Sequence, residues 1–191
     1  LKKLPQLLAE IQQEHPDKHI ELWCQDETRI GQKGRRTRTW AETGTRPSAP
    51  IDTRYGNAYL FGAFCPARDT GAALVLPKAN TEMMQLHLKE ISSQLPENTH
   101  AAMLVDGAAW HTSKDLVVPP NISLIQLPPY SPELNPSENV WQYLKNNFLS
   151  HQVWNSVPDI IDAAADAWNK LIKQTGSIAT IAALNALYLD D

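Results

Sequence analysis

Apolar and polar residues alternate along Ile20-Glu-Leu-Trp-Cys-Gln25, with Ile20, Leu22 and Cys24 on one side and Glu21, Trp23 and Gln25 on the other. A period of two is that of a strand, whose successive side chains point to opposite faces. The pattern predicts a strand that delivers Asp26 at its carboxyl end. Ahead of it, residues 5–14 place Leu7, Leu8 and Ile11 on one helical face, with Pro5 near the first turn and His15-Pro16-Asp17 as a breaker. Asn57 to Phe64 and Ala72 to Leu76 are β-rich runs separated by the turn formers Pro66-Ala-Arg-Asp-Thr-Gly71, which predicts a hairpin. Thr81 to Gln94 reads as a helix capped by Asn80, with Met83, Met84, Leu86, Leu88, Ile91 and Leu95 as its apolar positions.

The second half repeats the logic. Ala101-Ala-Met-Leu-Val105 is continuously apolar, as a central strand covered on both faces should be, and it too ends in an acid, Asp106. Ile122-Ser-Leu-Ile-Gln-Leu127 predicts a further strand. The stretch Leu127-Pro-Pro-Tyr-Ser-Pro-Glu-Leu-Asn-Pro136 cannot be regular, because each proline lacks an amide donor and pushes its predecessor toward extended backbone. It ends at a helix start, with Asn135 as N-cap, Pro136 at the first position and Glu138 at the third. Val140, Trp141, Leu144 and Phe148 then form one stripe, and Glu138 and Lys145 share a neighbouring face. A later helix carries Val157, Ile160, Ile161, Ala164, Trp168, Leu171 and Ile172, starting at Ser156 and Pro158 and stopping at Gly176. A last helix is expected from Ser177 to Leu189. Strands alternating with helices after one early hairpin predict an α/β domain on a mixed sheet.

Composition narrows the picture. A 191-residue chain that is 42% hydrophobic can bury one substantial core. The expected division is a lead-in helix or linker over residues 1–19, the main domain over 20–150, and helices over 151–191 packed on it. Net charge is −4, which excludes a grip on nucleic acid through bulk positive field, so any such contact is local. The densest positive charge lies in Gly31 to Arg46, with Lys33, Arg35, Arg36 and Arg38. That cluster suits phosphate contact, since counterion release rewards local basic groups, and suits a solvated hairpin face equally well. Cys24 and Cys65 sit in apolar stretches without a CxxC or Cys/His cluster, so reduced buried thiols are expected. No apolar run approaches the roughly 18 residues of a membrane span, and the start lacks a signal-peptide pattern. A cytoplasmic protein with no membrane partner is expected.

Three acids stand out by position. Asp26 and Asp106 each close an apolar strand, and Glu138 opens a helix after a stiff connector. Strand ends converge on one edge of an α/β sheet, where ligand sites form. Carboxylates there could hold two hard divalent cations that activate a water or a 3′-hydroxyl and stabilise the leaving oxygen of a phosphoryl displacement. Lys145, along the helix from Glu138, can face the same groove and neutralise a phosphate. Each residue alone has a plainer reading: a capping box for Glu138, turns for Asp26 and Asp106, a helix cap or surface position for His111, and core or interface packing for Trp110 and Trp141.

Asp26-Glu-Thr-Arg, Val105-Asp-Gly-Ala-Ala-Trp-His111 and Leu127-Pro-Pro-Tyr-Ser-Pro-Glu-Leu-Asn-Pro-Ser-Glu-Asn-Val-Trp141 together resemble the three catalytic blocks of mariner-like insertion-sequence transposases, nearest the bacterial IS six-thirty family. The resemblance covers residues 20 to 150, and the third block is its most specific part. It implies an RNase H-like fold, as in retroviral integrases, with a mixed five-stranded sheet flanked by helices. Asp26, Asp106 and Glu138 would be the DDE triad, holding two Mg²⁺ or Mn²⁺ ions for cut-and-paste transposition. DNA partners would be transposon ends and a TA-containing target, contacted by Arg29, Lys33, Arg35, Arg36, Arg38, His111 and Lys145. A homodimer is one assembly open to such a protein. The family's upstream helix-turn-helix region has no counterpart in these residues, and Gly107 stands where many relatives carry Asn. Two other readings stay open: an RNase H-like nuclease with a different substrate, and a catalytically silent DNA-binding or assembly module derived from a transposase.

Overall fold

Strands His19–Gly31 (β1), Asn57–Cys65 (β2), Thr70–Leu76 (β3), Thr99–Val105 (β4) and Ile122–Gln126 (β5) form one sheet in the order β3-β2-β1-β4-β5. The computed structural model describes residues 4–33, 40–45, 48, 52–128 and 135–183. The expected Arg35, Arg36 and Arg38 cluster, most of the proline-rich connector and the helix beyond residue 183 lie outside them. β1 and β2, and β2 and β3, pair antiparallel, whereas β1 with β4 and β4 with β5 pair parallel. The sheet is therefore mixed, and the expected hairpin is present, turned by a short 3₁₀ segment at Pro66–Arg68.

Helices cover both faces. The helix Thr81–Gln94 (α2) crosses over from β3 to β4, as parallel pairing requires. Asn80 Oδ1 accepts the Met83 N–H at 2.9 Å, satisfying one of the orphan donors at the helix start. Met84, Leu88 and Ile91 then bury against Trp23, Phe61 and Met103 on one face of the sheet. The opposite face takes the helices Ser137–Leu144 (α3) and Val157–Ile172 (α4), which enclose Phe64, Trp141 and Trp168. A reciprocal capping box joins Ser156 and Asp159 at the start of α4. Leu4–Glu14 (α1) buries Leu4 and Ile11 beside Cys24 and Leu104, and Ser177–Ile181 (α5) contributes Ile178 to the layer of α3 and α4.

Several expectations need correction. β1 continues five residues beyond Asp26, because β2 pairs with it as far as Gly31↔Asn57. The acid therefore lies within a strand and not at its end. Both faces of β1 are covered: Trp23 is buried, and its indole donates to a buried Glu21 that also pairs with Arg68. Leu86 is exposed, and His87 takes its place against the sheet. Val157 and Ile161 of the expected α4 stripe are likewise exposed, because the stripe facing the sheet centres on Ile160, Ala164, Trp168 and Leu171. α3 begins at Ser137, one residue later than expected, with Pro136 before it, although Asn135 Oδ1 still accepts the Ser137 N–H at 3.1 Å. The two cysteines are free and buried, and burial pushes the Cys24 thiol up to about 12. No helix among the described residues is long and apolar enough to cross a membrane.

His87 makes stability depend on pH. Its ring stands edge-on to Phe61, its Nε2 is 3.3 Å from the Ala72 carbonyl, and burial pushes its pKa down from 6.5 to about 4. Between those values the unfolded chain binds a proton that the folded chain does not. The full contribution is present above pH 6.5 and is lost as pH falls toward 4, by up to ~3 kcal/mol. Urea unfolding of the wild type and His87→Gln across that window should show the stability difference moving against the wild type by about that amount. Parallel profiles would rule out His87 as the titrating group.

Candidate active site

Parallel pairing between β1 and β4 ends at Cys24↔Leu104. Asp26 and Asp106 each follow two residues later, Asp26 still within β1 and Asp106 just past the end of β4, and the Asp106 charge reaches the Asp26 carboxyl. Burial, then the Glu27 charge beside it, raises the Asp26 carboxyl to about 7, and Asp106 adds to the rise. Two hydrogen bonds oppose it: Oδ2 accepts the Trp141 indole N–H at 3.0 Å and Oδ1 accepts the Glu27 N–H at 2.9 Å. Asp106 shifts the other way. Its half-exposed carboxylate is held below the usual range mainly by His111, whose Nδ1 lies 2.7 Å from Oδ1, with the Ala108 N–H at 2.9 Å on the same oxygen. Among the described residues, Asp106 Oδ2 has no hydrogen-bond donor.

α3 and the residue ahead of its start are bound to two successive residues of β1. Asn135 Nδ2 donates to the Gln25 carbonyl at 3.2 Å, and Trp141 reaches Asp26. Gly62, the β2 partner of Asp26, makes room for the second contact, because a Cβ there would lie 2.5 Å from Trp141 Cη2. Trp141, expected as core or interface, is core and also holds Asp26. Glu138 lies in sequence between the two anchors, exposed on the first turn, and it makes no capping hydrogen bond at the helix start. The structure thus brings Asp26 and Asp106 together and leaves Glu138 on the adjoining helix. Among the described residues, no group of three or more His, Cys, Asp or Glu side chains is placed to hold an ion.

Three of the expected DNA contacts meet. After α3 the chain widens into a π-helical turn at Lys145–Leu149, and Lys145 joins Arg29 and Lys33 around a pocket of about 180 Å³ floored by Ile30, Leu149 and Trp154. Arg54 was not anticipated. It borders an adjoining pocket with Arg29 and Lys33, is held by Asp52 at 2.6 Å, and donates to the Trp154 carbonyl at 2.8 Å. His111, by contrast, has a side chain with no exposed surface and packs against Asp106. Its Nε2 is 3.7 Å from Glu27 Oε2. Glu27 was also missed, and its only sequence signal is its place next to Asp26.

A family model described as DDE superfamily endonuclease matches residues 21–161. The uncharacterized protein y4pE/y4sA of Sinorhizobium fredii is 48% identical over 124 residues, which cover 65% of this chain and 92% of that protein. Among solved structures, the Mos1 transposase paired-end complex with left transposon end aligns with a TM-score of 0.67 at 17% identity, covering 98% of this chain and 58% of the Mos1 chain. Other Mos1 mariner paired-end complexes are described with Mn or Mg. The catalytic core domain of BIV integrase aligns with a TM-score of 0.51 at 17% identity, covering 88% of this chain and 93% of that one. At these identities the likeness is one of fold, and that fold is RNase H-like. The chain spans 58% of the length of the Mos1 chain it matches.

The contact over Gly62 can be measured. Gly62→Ala should destabilise the fold by ~1–3 kcal/mol, because the indole is rigid and cannot yield. Trp141→Phe removes the clashing Cη2, so Gly62→Ala should cost less in that background. Urea denaturation of the four proteins in the cycle reads the coupling, and strict additivity would refute the contact.

Proposed function

The chain belongs to the DDE superfamily endonuclease family, and from that premise we propose that it is the catalytic domain of a DNA transposase, cutting DNA strands and joining the cut ends in a divalent-metal-dependent reaction. The observation that carries this reading is the pair of acids that follow the last paired residues of β1 and β4, with Asp26 raised to about 7 by burial and by acidic neighbours that include Asp106. Like charges kept this close, with oxygen-only donors and one oxygen of Asp106 left without a donor, fit a hard cation. In this reading Asp26 and Asp106 hold two Mg²⁺ or Mn²⁺ ions, and Glu138, on the helix that Trp141 fastens to Asp26, supplies the third carboxylate. The ions, when bound, activate the attacking water or 3′-hydroxyl and stabilise the leaving oxygen.

The chain's own residues do the rest. Trp141 and the Glu27 amide each occupy one Asp26 oxygen, fixing the carboxylate plane. His111 and the Ala108 amide fix Asp106. Arg29, Lys33 and Lys145 around one pocket would take phosphates of the DNA backbone, with Arg35, Arg36 and Arg38 extending the contact. Membership of the IS six-thirty group, recognition of transposon ends, insertion at TA, assembly as a homodimer and a cytoplasmic location belong to the same proposal for the whole protein.

Plasmid nicking tests it. The wild type should nick supercoiled DNA with Mn²⁺ or Mg²⁺, and Asp106→Asn should lose that activity while its melting temperature stays within a few degrees, since the amide oxygen still accepts from His111. A wild type silent with both metals would favour the assembly module, and an RNA–DNA hybrid cut in preference to DNA would favour a different RNase H-like nuclease.

A further inference from the structure

Glu27 follows Asp26 in the chain, and strand alternation turns it to the opposite face of β1. There it meets the loop after β4. That loop folds back on itself: the Ala108 N–H is bonded to Asp106 Oδ1, and the His111 N–H to the Ala108 carbonyl at 3.0 Å. The turn returns the His111 ring to the acid at its start. The imidazole then lies between two carboxylates, with Nδ1 2.7 Å from Asp106 Oδ1 and Nε2 3.7 Å from Glu27 Oε2.

Around this contact Glu27 Oε2 and His111 Nε2 make no hydrogen bond, and the Trp110 indole and Gln25 amide lie near enough to the Glu27 carboxyl to favour its charged form without completing a well-formed bond to it. Each such group costs ~1–3 kcal/mol, so an apolar filling would make a more stable protein. A costly polar cluster directly behind a half-exposed carboxylate is what a device for orienting that carboxylate requires.

We propose that His111 and Glu27 are positioning residues for Asp106: the imidazole ties Oδ1 and so presents Oδ2 outward, and Glu27 sets the orientation of the imidazole. The proposal rests on the reading of Asp106 as a metal ligand. Without the ring, Oδ1 keeps only the Ala108 amide, and a half-exposed aspartate turns more freely about its last torsion, where the two oxygens exchange in a broad two-fold well. With it, one oxygen faces the ion before the ion arrives. Glu27 acts at one remove and through proximity: its carboxyl, 3.7 Å from Nε2, favours the ring orientation in which Nδ1 faces Asp106. Neither residue touches DNA.

Mn²⁺ binding to the full chain without DNA, followed by the electron-spin-resonance signal of the free ion, tests this together with melting temperature and nicking rate against Mn²⁺ concentration. Glu27→Gln is nearly isosteric and puts a neutral amide where burial already raises the carboxyl pKa, so it should fold as well as the wild type. It should nevertheless bind Mn²⁺ about 10–100-fold more weakly, with nicking restored at saturating metal. His111→Ala should weaken binding by a similar factor, and His111→Asn should recover part of it by offering an amide N–H to Asp106 Oδ1. If His111→Ala does not fold, Glu27→Gln and His111→Asn decide the matter. Wild-type Mn²⁺ affinity in Glu27→Gln, whatever its melting temperature, would overturn the proposal and leave the transposase reading standing. A wild type that neither binds Mn²⁺ nor nicks would instead sink that reading, and this proposal with it.

Discussion

Parallel pairing of β1 with β4 stops at Cys24 and Leu104, and the site depends on what each strand does in its next two residues. β1 keeps an antiparallel partner, so Asp26 is held as a strand residue opposite Gly62. β4 ends, and Asp106 opens a turn. Two acids thereby stand near enough for their charges to repel. Their surroundings then separate them: burial and Glu27 lift the first, and His111 and an amide lower the second. One residue type at equivalent positions of adjacent strands acquires two different electrostatic characters.

The two apolar layers each send one nitrogen donor to this rim. From the layer of α3 and α4 comes the Trp141 indole, which crosses Gly62 to reach Asp26. The other face, where α2 packs, supplies His111, close enough to the buried His87 for their charges to interact. The core and the site are therefore not separate parts of the molecule. Burying Trp141 and Phe64 against each other is also what aims a hydrogen bond at Asp26. Strain or an unpartnered group at the rim is tolerated because the layers behind it are continuous and apolar, and packing there offsets local costs of ~1–3 kcal/mol.

Much of this was legible because it rests on local signals. Periods of two and 3.6, Asn80 and Ser156 as caps, and the prolines and glycines between runs located every strand and most helices, and the acid after the continuous apolar run at residues 101–105 is where the pattern places it. What escaped depends on partners distant in sequence. Glu27 to Gly31 carries no clear strand pattern, and its extension of β1 is supplied by Asn57 to Phe61. A helical stripe does not reveal which of its edges meets the sheet, so His87 was overlooked and Leu86 chosen. Glu27 and His111 are ordinary polar residues until the loop after β4 folds back. No local rule marks a tryptophan as a donor to an aspartate on another element.

The basic residues add a constraint on how an acidic chain can bind a polyanion. At a net charge of −4 the field far from the surface does not attract DNA, yet screening confines each charge to about 8–10 Å in physiological salt, so only the charges within that radius matter to a phosphate. Arg29 lies on the strand that holds Asp26, Lys33 stands two residues past the end of that strand, and Lys145 follows, one turn on, the Trp141 that fastens α3 to it. The elements that set the acids therefore also set the cations. A displacement of α3 relative to β1 would move carboxylate support and the Lys145 side of the pocket together. The Asn135–Gln25 and Trp141–Asp26 bonds between helix and strand therefore fix the position of the basic pocket relative to the acids.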